Sequence, residues 1–402
     1  MQNLNYKSSN LVWLAIMILA LLCGGTFRVL GPISIRNVVS VLLILFLLLN
    51  VSSIPQNIKP LKSYFVFLLV YIFCSIINGD MTKTDFLYNI LSRHIPCVLM
   101  FLAVPLLMRQ EKDIRGVMVF LAFLYIFNCV MTIMQSFGNA FSWDVAHTVN
   151  SESLKLYEDF GEYQKYSDSS LGRSFLPGLF GKAVANGYFI AVFAPLVGIS
   201  LSSYGRKYHL LATITVFLGL ISSYFLQQRM CFYLMVIFST YYYLRYVQLP
   251  ALFKILLLIV GVPFVIDYSL QIDFGRLIEN NEIARSSLFD SFLSFCQSYN
   301  VFFGSYYNYS LLYKIAQHNC FSDIIVRGGI ISLIPFIIYF FSVFRFARKT
   351  HRFSAINTAL SLSIIFYLLY SQTHSDGIHS GDMTFWIVFS MIPAVNNVKF
   401  HS

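Results

Sequence analysis

The feature that most constrains this chain is repetition. Apolar runs recur from one end to the other, each close to the ~20 residues that cross bilayer hydrocarbon as a helix, and short polar stretches separate them. A composition that is 57% hydrophobic and 11% charged fits that pattern, and it predicts an all-α integral membrane protein. A formal charge of +10 does not call for a nucleic-acid partner, because lysines and arginines in a multi-span chain report topology first. Of the 18 acidic residues, only Glu111 and Asp113 fall in loops assigned to the cytoplasmic side, whereas Arg345, Arg348, Lys349 and Arg352 cluster there.

The pattern predicts about twelve spans with both termini cytoplasmic. Five lie in residues 1–137, at 11–25, 37–53, 61–77, 88–108 and 116–137. Residues 138–182 form a first long outer loop carrying Asp144, Glu152, Glu158, Asp159, Glu162 and Asp168, too polar to enter lipid. Residues 183–266 hold the next four spans, at 183–203, 208–226, 230–247 and 250–266. A second long outer loop, 267–321, precedes the last three spans within 322–402, at 322–344, 354–371 and 383–398. Arg36, Arg93 and His94 stand near outer span ends, where snorkelling to the interface accounts for them. The cysteines are scattered without metal-ligand spacing and read as small core residues.

The second outer loop concentrates the candidate chemistry. Leu288, Phe292, Phe295 and Tyr299 recur at helical spacing and predict an amphipathic helix from Glu282 to Tyr299, with Arg285 near its start. A turn at Gly304 follows, then Tyr306, Tyr307 and Tyr309, then His318 and Asn319. A guanidinium fork pairs with phosphate oxygens, and a histidine takes a hydroxyl proton near neutral pH, so this combination suits chemistry on a lipid-linked anion. Arg229 sits at a tight junction between two spans, as an interface anchor or as a grip on a lipid pyrophosphate. The glycine-rich end of the first loop, Gly172 to Gly181, is either an anion cradle with Arg173 or a plain turn entering a helix. Asp323 and Arg327, four residues apart, read as a local ion pair. His374, Asp376, His379 and Asp382 resemble a metal site only superficially, and no metal or other cofactor is expected.

Several of these segments, in order, resemble the O-antigen polymerase and O-antigen ligase superfamily of bacterial envelope glycosyltransferases. They are Gly178-Leu-Phe-Gly-Lys-Ala-Val-Ala-Asn186-Gly187, Leu226-Gln-Gln-Arg229, Ile283-Ala-Arg285, Phe303-Gly304, Gln317-His318-Asn319 and Asp323 with Gly328-Gly329. The match covers residues 172–344 and departs from the family at Gln228, where Ser or Thr is frequent, and in lacking the Arg-x10-Gly pattern at Arg173 or Arg285.

The resemblance implies a GT-C-like fold in the inner membrane, with the active site at the periplasmic face. It implies surface-polysaccharide polymerisation by metal-independent, inverting transfer of repeat units carried on undecaprenyl pyrophosphate. His318 would act on the acceptor hydroxyl, and Arg229, Arg285 and Arg173 would bind the pyrophosphate. Membrane lipid and a chain-length regulator protein are the implied partners, with no nucleic acid. Two long outer loops favour the polymerase over the ligase, which transfers finished polymer to lipid A core. A lipid-linked oligosaccharide flippase is the reading from another class. Transporters place charges near the bilayer midplane and show repeat-related halves, and neither pattern is evident here.

Overall fold

A computed structural model describes residues 2–23, 28–30, 33–53, 59–82, 90–158, 176–180, 182–247, 266, 281–313, 319–350, 354–373 and 377–398. Apart from a two-stranded antiparallel ribbon, β1 (Arg28–Leu30) with β2 (Ile33–Ser34), the described chain is helical. Among the described residues, four helices are long and apolar enough to cross a membrane: α5 (Glu111–Ser136), α7 (Ala183–Ser202), α8 (Arg206–Leu226) and most of α12 (Cys320–Thr350). Shorter apolar helices lie within α1 (Gln2–Cys23), α2 (Ile35–Leu49), α3 (Lys59–Ile77), α4 (Ile95–Leu107), α13 (Ala355–Tyr370) and α14 (Met383–Asn397). α9 (Arg229–Tyr246) is more polar, with arginines near both ends and Tyr241, Tyr242 and Tyr243 in its last turns. A helix therefore stands at each expected span except the ninth, 250–266, which lies outside the described residues but for Ile266.

The helix ends follow local chemistry. Ser34 caps α2 by accepting from the Asn37 amide, Ser354 caps α13 by accepting from Asn357, and Asp382 caps α14 by accepting from Thr384. At the start of α5, Asp113 accepts from the Gln110 amide. Gln227, in left-handed conformation, ends α8, and Arg229 opens α9 two residues later, so the junction is as tight as its sequence implied.

α7 is the centre of the bundle. It is apolar on every side and buried along nearly its whole length, as such a helix must be, and it packs on α5, α8, α9 and α13. A second aromatic core joins α3, α12 and α14, where Tyr64 meets Trp386 with ring centroids 4.7 Å apart and Tyr339 at 5.3 Å. The outer surface is apolar as well: Leu42, Leu69, Phe123, Phe217, Ile334 and Phe341 are all exposed, a coat that suits lipid rather than water.

Two expectations change. Residues 138–182 are not simply a loop, because α6 (Ala140–Glu158) occupies the first half. The amphipathic helix of the second loop, α10 (Asn281–Cys296), stops short of Tyr299; Ser298 donates to the Phe295 carbonyl, and a 3-10 turn over Tyr299–Val301 redirects the chain. Its Phe292 and Phe295 still face inward as the spacing required, against Tyr309 of α11 (Tyr306–Tyr313) and Val326 of α12.

Candidate functional site

The end of α3, the start of α12 and the end of α13 meet at one end of the bundle, called the upper end here. At the start of α12, Asn319 accepts from the Phe321 amide and donates to Gln372 beyond α13, while the Cys320 amide donates to the Ser371 carbonyl. α12 then breaks at Gly329, whose φ of 72° and ψ of 180° suit glycine alone. The turn of the second loop docks into this break. A Cβ on Gly304 would stand 2.6 Å from the Arg327 carbonyl carbon, and one on Gly329 would collide with the Phe302 carbonyl. Close approach is what both glycines supply. Backbone bonds complete the seam: the Ser305 amide donates to the Val326 carbonyl at 2.8 Å, and the Ile331 amide to the Phe302 carbonyl at 3.3 Å.

Around the seam lies a charged cluster. Arg327 Nε donates to Asp323 Oδ2 at 2.7 Å, which is the local pair expected from the spacing. His379, from the loop before α14, donates from Nε2 to the same oxygen at 2.8 Å, so its proton is on Nε2. The Arg327 guanidinium lies 4.0 Å over the Tyr306 ring, a cation–π contact, with Tyr71 as a further neighbour. Asp80, just after α3, accepts from the backbone amides of Tyr306 at 2.9 Å and Tyr307 at 3.4 Å, capping α11 and fixing that ring. Asp323 side chain is 1% exposed and His379 3%, whereas Arg327 is 28% exposed. Among the described residues, Asp323 Oδ1 and His379 Nδ1 are buried without a hydrogen-bond partner. Two such atoms cost on the order of 1–3 kcal/mol each.

A second polar cluster surrounds the turn that ends the first loop. Asn128, Thr132 and Gln135 share one face of α5. Asn128 accepts from the Leu179 amide and donates to Asn186, which donates in turn to Thr132 and to the Leu176 carbonyl. Gln135 accepts from the Gly178 amide and donates to the Gly178 and Ser142 carbonyls. The amides of Gly178 and Leu179, the donors an anion cradle needs, are thus taken by protein side chains. The plain-turn reading fits this part of the segment, and Arg173 itself lies outside the described residues.

The other expected residues fall as follows. His318 lies outside the described residues, as do His374 and Asp376. Arg285 falls in the first turns of α10, and its side chain is outside the described set. Arg229 belongs to the upper end: Leu226 packs toward Gly187, where a Cβ would collide with the Tyr370 hydroxyl. His379 and Asp382 diverge, the first to Asp323 and the second to the Tyr367 hydroxyl and the Thr384 amide. Among the described residues no group of three metal-ligating side chains is gathered. Arg36 and His94 do not snorkel outward. Arg36 donates to the Leu21 carbonyl, closing the end of α1, and His94 is buried against the Tyr64 hydroxyl at 2.7 Å. Cys296 and Cys320 are free thiols, and burial pushes the Cys296 thiol up, which keeps it protonated.

Sequence reasoning missed His379, Tyr306 and Asp80 as neighbours of the Asp323–Arg327 pair. His379 lies 56 residues after Asp323, and Tyr306 and Asp80 lie 17 or more before it, so no local spacing links them. The available signal was the placement of all of them in outer loops or outer span ends. The fold and this cluster define a helical protein with helices long and apolar enough to cross a membrane and a charged cluster at one end of the bundle. The chain matches no family model, no curated protein and no solved structure.

Proposed function

We propose that this protein spans the bacterial inner membrane about twelve times, with a GT-C-like arrangement, and that the upper end is its periplasmic active face. It polymerises surface polysaccharide, joining repeat units carried on undecaprenyl pyrophosphate. The observation that carries this reading is the Asp323–Arg327–His379 cluster at the upper end, seated on the crossing of Gly304 with Gly328 and Gly329. Charge buried in an apolar bundle is costly and marks function. Its location at one end, rather than at mid-height, favours chemistry at a membrane surface over transport through the bundle. The seam also joins two segments that carry the resemblance to the polymerase and ligase superfamily.

In this reading the acceptor sugar hydroxyl attacks the anomeric carbon of the donor. The new glycosidic C–O bond forms as the bond from that carbon to the pyrophosphate oxygen breaks, with inversion. His318 receives the hydroxyl proton, and the electron pair leaves with undecaprenyl pyrophosphate. Arg229 and Arg285 stabilise the charge that grows on the leaving group, where weak screening near the membrane strengthens each cation.

The test is the envelope polysaccharide ladder from a strain lacking the protein, with wild-type or His318→Ala protein restored. Core capped by a single repeat unit in the deletion and in the variant, at normal protein abundance, supports the polymerase. Bare core with polymer held on its lipid carrier identifies the ligase instead. An unchanged ladder rejects both.

A further inference from the structure

We infer that Arg327 is an anion-binding residue of this site, taking a phosphate group of the pyrophosphate lipid on its terminal guanidinium nitrogens, with Asp323 and His379 as the residues that aim it. The choice of pyrophosphate lipid rests on the glycosyl-transfer reading; the anion site rests on geometry. A guanidinium has five N–H donors in a rigid fork. Nε–H goes to Asp323 at 2.7 Å, which leaves terminal N–H groups for a ligand. The cation is the only partly exposed member of its triad: at 28% it reaches the surface, while Asp323 and His379 stay behind it at 1% and 3%.

Three elements immobilise that guanidinium. Asp323 cannot turn away, because His379 Nε2 holds the oxygen that receives Arg327. Tyr306 supports the flat face at 4.0 Å, and Asp80 fixes Tyr306 through its backbone amide. Gly304 lies against the Arg327 backbone itself. The carboxylate behind the cation shares its charge between two donors, so it orients the guanidinium without occupying the terminal fork. A planar fork held this rigidly binds two phosphate oxygens at little entropic cost, which a lysine at the same place does not reproduce.

The experiment uses purified full-length protein in nanodiscs of zwitterionic lipid, with inorganic pyrophosphate as probe and elongation of lipid-linked donor measured in parallel. Wild type should bind pyrophosphate. Arg327→Lys should weaken that binding about tenfold or more, and Tyr306→Leu by a few-fold. His379→Gln should raise the KM for donor more than it lowers kcat, which loss of general stability would not do. Arg348→Lys, at the opposite end of α12, should leave all these values unchanged.

Pyrophosphate affinity unaltered in Arg327→Lys overturns the inference, even if elongation is observed. Elongation absent from wild type, with Arg327-dependent pyrophosphate binding retained, removes the glycosyl-transfer reading and leaves the anion site standing. If Arg327→Lys does not fold, Tyr306→Leu decides, and unchanged pyrophosphate affinity there is equally fatal. Nanodiscs containing anionic phospholipid separate the two sources of phosphate: dependence on Arg327 for that lipid alone, and not for pyrophosphate, overturns the assignment to the donor.

Discussion

The two buried polar clusters at the upper end differ in one respect that separates their roles. Around Asn128, Asn186 and Gln135 the side-chain amides find donors and acceptors, all neutral, and they bind the turn at Gly178 to α5 and α7. Around Asp323 the groups are ionisable, one carboxylate oxygen takes two donors, and Asp323 Oδ1 and His379 Nδ1 are left without partners among the described residues. A closed network of this kind rigidifies a fold. An open one lowers stability, a cost that is tolerated where the cluster serves a function.

The largest expected effect tests the seat shared by loop and helix. Gly329→Ala forces a side chain into a glycine-only conformation against a backbone carbonyl, and should destabilise the protein by about 3 kcal/mol or more. The measurement is thermal unfolding in detergent, and a melting temperature within error of wild type would disprove the close crossing. Next, Asn186→Leu removes three hydrogen bonds and strands Asn128, Thr132 and the Leu176 carbonyl, for a loss of about 2–3 kcal/mol. Folded protein that survives should keep the wild-type KM for donor.

Asp323→Asn should behave in the opposite sense. It keeps an acceptor for Arg327 and His379 but removes the charge that aims them, so polymer formation should fall about tenfold through KM while the melting temperature drops less than in Asn186→Leu. Equal stability loss in the two variants would erase the distinction between the clusters. The smallest change is Thr132→Val, which deletes one acceptor for Asn186 and should cost about 1 kcal/mol with no effect on turnover.

Much of the fold was legible because period and length are strong signals in apolar chains. The helices α5, α7, α8 and α12 stand where apolar runs put them, and the Arg229 junction is as short as its polar residues required. α6 was not seen, because polarity argued against lipid and says nothing against a helix outside it. The site was legible in fragments. Gly304 and Gly328–Gly329 were noticed as turn and helix, yet their contact depends on tertiary approach that no spacing encodes. The Asp323–Arg327 pair followed from a four-residue step, whereas His379 reaches it only because α13 returns the chain to the end where α12 begins.

The break at Gly329 carries a mechanical consequence. Past it, the Ile331 amide is satisfied by the Phe302 carbonyl of the loop rather than by its own helix. Pulling the loop away would leave that donor bare among apolar helices, with a cost of the kind that keeps irregular backbone out of lipid. The loop is therefore stitched into α12 at this point and does not work as a detachable flap. The segment from Asn300 to Tyr306 and α12 on both sides of Gly329 are held as one unit, so that Arg327 and the ring beneath it keep their alignment.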